Sequence, residues 1–184
     1  MNTFLLIAVL LISAIDLFRA AILLSAERVI KDWKNYLVVV GSLCLIPFTV
    51  FLAATGISKL FAFLFPLQAY LPQVLLLFMG AKILTQGISN RQVIISRDTT
   101  NLKSLALMAL IVSFNPFLAG LALGAIPDVL VLTSVTLLFI SIILSIAGMI
   151  FSAYLKWFLN KVFLLFSGIF ILVLIIIEIV RQNF

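Results

Sequence analysis

Stretches of about 20 apolar residues recur along the chain, and each is long enough to cross roughly 30 Å of hydrocarbon as a helix. Six such spans are expected, at approximately Thr3–Leu24, Tyr36–Thr55, Leu71–Gln86, Leu102–Ala125, Val129–Ala153 and Val162–Val180, the third being the shortest. Composition supports the same reading: with 65% hydrophobic and 10% charged residues and a mean hydropathy of +1.38, a chain of this size cannot hide its apolar surface inside a soluble globule. The expected fold class is all-α, a polytopic membrane protein forming a single transmembrane domain over residues 1–184. The first span is expected to stay in the mature protein. It lacks a basic leading region, runs too long for a signal-peptide core and carries charge at its centre.

The basic residues orient these spans. Eight of the twelve lie on one side: Arg28, Lys31 and Lys34 after the first span, Arg91, Arg97 and Lys103 around the third connection, and Lys156 and Lys161 in the fifth. The other side has Lys59 and Arg181. The positive-inside rule then puts the odd connections in the cytoplasm and both termini outside the cell membrane. A basic face toward anionic headgroups accounts for the net charge of +6, so the bilayer, and no nucleic acid, is the expected partner. A homo-oligomer or a membrane partner is compatible with the apolar outer surface.

The single cysteine, Cys44, cannot form an internal disulfide or a dithiol relay and reads as a small core residue. Histidine is absent, so any cation must be held by oxygen ligands, and tight zinc or copper binding is disfavoured. No cofactor and no enzymatic role are expected.

Asp16 and Arg19 interrupt the first apolar segment near its middle. Three residues apart on a helix they share a face, and mutual neutralisation lowers a burial cost of roughly 2.5 to 3.5 kcal/mol per charge. The pair reads as a substrate-binding site, or alternatively as an internal ion pair that only fixes helix packing.

Comparison of the chain with itself strengthens the functional reading. Ile15-Asp16-Leu17-Phe18-Arg19-Ala20 aligns with Phe114-Asn115-Pro116-Phe117-Leu118-Ala119, and Leu76-Leu77-Phe78-Met79-Gly80 aligns with Leu164-Leu165-Phe166-Ser167-Gly168. The register implies repeats over about 1–90 and 102–184, each of three helices. Because three is odd, the second copy enters from the opposite side, giving a 3+3 inverted-topology repeat. Such repeats bring equivalent helices together near the bilayer midplane, so Asp16 should face Asn115. Pro116 removes a backbone donor and frees a carbonyl in the previous turn, while Ser113 and Asn115 add side-chain oxygens. A kink or break is expected there. Gly120 and Gly124 read as close-packing positions.

Other polar residues are expected to be structural. Lys82 and Glu178 are placed near helix ends, where they can snorkel to the interface. Gln68, Tyr70 and Gln73, beside Pro66 and Pro72, read as a turn, and Asp128 after Pro127 as a turn or cap.

These motifs resemble the MntP-type manganese efflux pumps of the lysine-exporter superfamily. The resemblance rests on Ser-Ala-Ile-Asp-Leu-Phe-Arg-Ala-Ala from Ser13, Leu-Leu-Leu-Phe-Met-Gly-Ala-Lys-Ile-Leu-Thr-Gln-Gly from Leu75, Ser-Phe-Asn-Pro-Phe-Leu-Ala-Gly-Leu-Ala-Leu from Ser113, and Ser167-Gly168. It implies export of a manganese-like divalent cation by a secondary-type transporter, with Asp16 and Asn115 as the metal-binding positions and Mn2+ as cargo rather than cofactor. The family pattern has an aspartate in each half. Here Asn115 replaces the second, and Arg19 stands where a small residue is usual. That charge balance also suits a zwitterionic, amino-acid-like cargo, and a non-transporting membrane subunit or scaffold is a further alternative.

Overall fold

The computed structural model describes residues 3–26, 33–64, 71–89, 102–124, 130–152 and 162–183, and no strand occurs among them. Its helices are α1 (Thr3–Ser13), α2 (Ile15–Ala26), α3 (Trp33–Leu64), α4 (Leu71–Ser89), α5 (Leu102–Val112), α6 (Phe114–Gly124), α7 (Leu130–Ile150) and α8 (Val162–Asn183).

Length and hydropathy identify three spans able to cross a membrane among the described residues, Leu6–Ser25, Trp33–Leu60 and Val131–Ile150. The bent pair Lys103–Val112 and Phe114–Gly124 makes a fourth if it is one span. The stretch Gln73–Ile88 is apolar but shorter; at 1.5 Å per residue it reaches about 24 Å, less than the usual hydrocarbon thickness. The described residues are thus helical apart from single turn residues, with three to four candidate membrane spans among them.

The second expected span, Tyr36–Thr55, is too short. Helix α3 continues through Gly56 to Leu64, and Lys59 is an exposed residue of that helix rather than part of a connection. The reason is local: after Gly56 no proline comes before Pro66, and Ile57, Leu60 and Leu64 continue the apolar run. Arg28, Lys31, Arg91, Arg97, Lys156 and Lys161, the Gln68–Tyr70 connection, the Pro127–Asp128 turn and the Glu178 side chain lie outside the described residues.

Two helices are interrupted at matched positions. A turn at Ala14 separates α1 from α2, and a turn at Ser113 separates α5 from α6. Each turn residue lies two positions before the aligned polar residue, Asp16 or Asn115. At both turns one N–H is shared between successive carbonyls: Ala14 donates to Leu10 and Leu11, both at 3.2 Å, and Ser113 to Ala109 at 3.0 Å and Leu110 at 3.1 Å. The second break bends the chain by 45°. Pro116 explains it, since its missing N–H leaves the Val112 carbonyl without a helical donor.

Helix α3 packs on α6, α2 on α7 and α4 on α8. At Gly120 a Cβ would lie 2.6 Å from the Phe51 carbonyl oxygen, and at Gly124 2.7 Å from Thr55 Cα, so the backbones of α6 and α3 touch. Ser58 ties the same pair by donating to the Leu121 carbonyl at 2.6 Å. The aligned glycines of α4 and α8 pack reciprocally: a Cβ on Gly80 would meet Ile171 at 2.6 Å, and one on Gly168 would meet Leu84 at 2.7 Å. Leu10, Phe51, Met79, Ile83, Leu123, Leu137 and Ile171 fill the core between these helices. Cys44 is buried, its thiol donating to the Ser145 hydroxyl at 3.8 Å. Large apolar residues such as Leu45, Val131, Phe139 and Ile176 face outward, where lipid tails are their natural solvent.

Candidate functional site

The two interrupted helices deliver their aligned polar residues to one place. Asp16, in the first turn of α2, is 5% exposed, and Asn115, in the first turn of α6, is fully buried. The Asn115 Nδ2 amide donates to Asp16 Oδ2 at 3.0 Å. Arg19, one turn along α2 and 5% exposed, holds its guanidinium nitrogen 3.6 Å from Asp16 Oδ1. That contact is an ion pair; Oδ1 accepts no hydrogen bond.

Lys82 of α4 completes the cluster. Its ammonium donates to Asn115 Oδ1 at 2.6 Å and lies 3.7 Å from Asp16 Oδ2. It also sits over the Phe114 ring, 4.6 Å from the centroid, in cation–π geometry. The expectation that Lys82 snorkels to the interface is overturned, since its side chain is only 21% exposed and its charge turns inward. Packing of α4 against α6 brings the lysine stem to Asn115, and an ammonium in an apolar layer gains more from a carboxylate and an amide oxygen than from reaching for the surface. The Asn115 amide is polarised accordingly, nitrogen toward the carboxylate and oxygen toward the ammonium. The cluster of Asp16, Arg19 and Lys82 carries one positive charge in excess.

A half-open pocket of about 400 Å³ reaches this cluster, lined by Asp16, Lys82, Gln86, Leu110, Ile111, Val112 and Phe114. Two buried oxygens here accept no hydrogen bond, Asp16 Oδ1 and Gln86 Oε1. Val112, whose carbonyl Pro116 deprives of its helical donor, is part of the same wall. Carboxylate and amide oxygens thus gather at the pocket, acceptors that suit an ammonium or a hard cation. No group of three or more His, Cys, Asp or Glu side chains able to hold a metal occurs among the described residues. A larger cavity of about 520 Å³, lined by Ile7, Leu11, Phe18, Leu144, Phe166 and Phe170 among others, offers no charged group to a polar cargo.

Ser113 is buried at the break, and its hydroxyl donates back to the Ala109 carbonyl, so its proton is spent within the helix. Pro116 is buried within α6 and acts on the site through the backbone. Lys82 and Gln86 are the residues that sequence reasoning missed. Their signal was a cation and an amide four positions apart on one face of an apolar helix.

No curated protein and no solved structure matches the chain. The family model described as "Mntp: Putative manganese efflux pump" matches residues 38–180, most of its length. The chain belongs to this manganese efflux pump family.

Proposed function

We propose that the chain exports a manganese-like divalent cation as a secondary-type transporter, through a site at Asp16 and Asn115 near the bilayer midplane. Six spans in a 3+3 inverted repeat, with α1–α2 equivalent to α5–α6, α3 to α7 and α4 to α8, rock against each other around that site. In this reading both termini face out of the cell membrane, in keeping with the positive-inside bias of the basic connections.

The observation that carries this reading is the buried contact of Asp16 with Asn115, at 3.0 Å, where two interrupted helices meet. Irregular backbone at membrane depth is tolerated only where it is buried in protein or lines a cavity, and here a pocket of about 400 Å³ reaches it. Matched breaks at Ala14 and Ser113 and reciprocal packing of Gly80 and Gly168 support the repeat. The pocket also weighs against a sealed scaffold, for which a dry, closed site is expected.

A second reading draws on the charge count. Two cations, Arg19 and Lys82, face one carboxylate, which suits a small zwitterion whose own carboxylate pairs with one of them.

Proteoliposomes separate these. Mn2+ flux in the native chain that Asp16→Ala abolishes supports the metal reading. Absence of native flux, with flux appearing in Arg19→Ala plus Asn115→Asp, contradicts it and moves the cargo to a molecule carrying its own negative group.

A further inference from the structure

Lys82 occupies the place where a cargo cation would sit. Its ammonium is held by Asn115 Oδ1 at 2.6 Å and lies 3.7 Å from Asp16 Oδ2, so the two side chains proposed to receive the cargo are already engaged by a positive charge from the chain itself. The site is self-occupied. A divalent ion entering beside both Lys82 and Arg19 would meet two like charges in a low-dielectric pocket, where each repulsion costs far more than in water.

The same pocket holds an alternative seat for that ammonium. Gln86 follows Lys82 by one helical turn on the same face of α4, and its Oε1 is buried without a hydrogen-bond partner. An orphaned acceptor within reach of a long, flexible lysine stem is a ready resting place for the displaced head group. Displacement of the ammonium leaves Asp16 Oδ2 and Asn115 Oδ1 to receive the ion, while Asp16 Oδ1 stays paired with Arg19. The oxygens that the ammonium leaves and the orphaned oxygen that receives it thus mark the two seats of an exchange.

We propose that Lys82 is a tethered surrogate for the cargo cation. In the empty site its ammonium holds the Asp16 and Asn115 oxygens. When the cargo binds, the ammonium swings one turn along α4 to Gln86, and when it returns it competes the cargo off. The exchange moves a charged head group between two seats, and no bond is made or broken. This rests on the divalent-cation reading above and adds a consequence for affinity: the apparent affinity is lowered by the fraction of molecules in which Lys82 is out of the way. An exporter gains from such a device, because release must proceed against the external concentration of the ion.

The test is Mn2+ binding to the full-length chain in lipid nanodiscs. Lys82→Met keeps the stem and removes the charge, and is expected to tighten the Mn2+ Kd by about tenfold or more, as for a site free less than a tenth of the time. Loss of folding cannot imitate a gain in affinity, and Lys82→Gln, which can still donate to Asn115, should show the same gain. Gln86→Leu should weaken binding in the native background and change nothing beside Lys82→Met, because the seat matters only while there is an ammonium to use it. Native binding that Lys82→Met leaves unchanged or weakens overturns the surrogate while the cargo reading stands. If neither the native chain nor Lys82→Met, both monodisperse, binds Mn2+, the cargo reading falls and the surrogate with it.

Discussion

The α1–α2 and α5–α6 pairs break at the same register yet are built differently. The first passes as one apolar span over Leu6–Ser25 and places Asp16 with Arg19 after its turn at Ala14. The second bends by 45° and places Asn115 with Pro116 after its turn at Ser113. By register the counterpart of Pro116 is Leu17, and that of Arg19 is Leu118. One half therefore supplies charge and the other an amide and a freed carbonyl. Two helix pairs with a matching break can thus present different chemistry: the break sets where the chain leaves regular geometry, and the residues beside it decide what is presented there.

The largest expected effect breaks the charged half. Asp16→Ala leaves Arg19 and Lys82 facing each other without the carboxylate, which should cost about 3–5 kcal/mol in unfolding. Adding Arg19→Leu should recover a large part of that loss; if the double variant is no more stable than the single one, the ion pair does not hold the site.

Making the halves alike is a sharper test. Pro116→Leu copies Leu17 into the second half, returns a donor to the Val112 carbonyl and should straighten α5–α6, with a gain of about 1–3 kcal/mol. Mn2+ flux should fall at the same time. Unchanged flux in a stabler chain would mean that the bend is no part of the transport path.

Packing gives a comparable effect. Gly120→Leu forces a side chain against the Phe51 carbonyl, 2.6 Å from where its Cβ would be, and should cost about 1–3 kcal/mol by overpacking. Gly41→Leu, with nothing within 4 Å, should stay within about 0.5 kcal/mol. Smaller than the Gly120 effect are those of the hydroxyls beside the two breaks. Ser13 donates to the Leu10 carbonyl at 2.7 Å and Ser113 to Ala109, and replacing either by alanine should change stability by about 1 kcal/mol or less in thermal unfolding.

Much of this architecture is legible in the sequence because hydropathy and register are local quantities. Apolar runs mark the helices, a shared spacing links Asp16 to Asn115, and Pro116 announces a bend in its preceding turn. What periodicity does not carry is where a helix faces. Lys82 reads as an interfacial anchor while the rotation of α4 is unknown, and becomes part of the charged cluster once α4 packs on α6. Gln86 is hidden for the same reason. The end of α3 is not legible for another reason: a charge at Lys59 resembles a boundary, although an exposed lysine late in a helix costs little.

A cation site at the Asp16–Asn115 contact, shared by the two interrupted helices, has a stoichiometry and a carboxylate dependence that can be read in solution. Titration of the purified chain with Mn2+, counting free ion by its paramagnetic resonance signal, tests it most directly. Saturable binding at one ion per chain is expected, weakened by about 100-fold or more in Asp16→Asn, which keeps the shape and removes the only carboxylate of the cluster. Binding of unchanged stoichiometry and affinity in Asp16→Asn would contradict it.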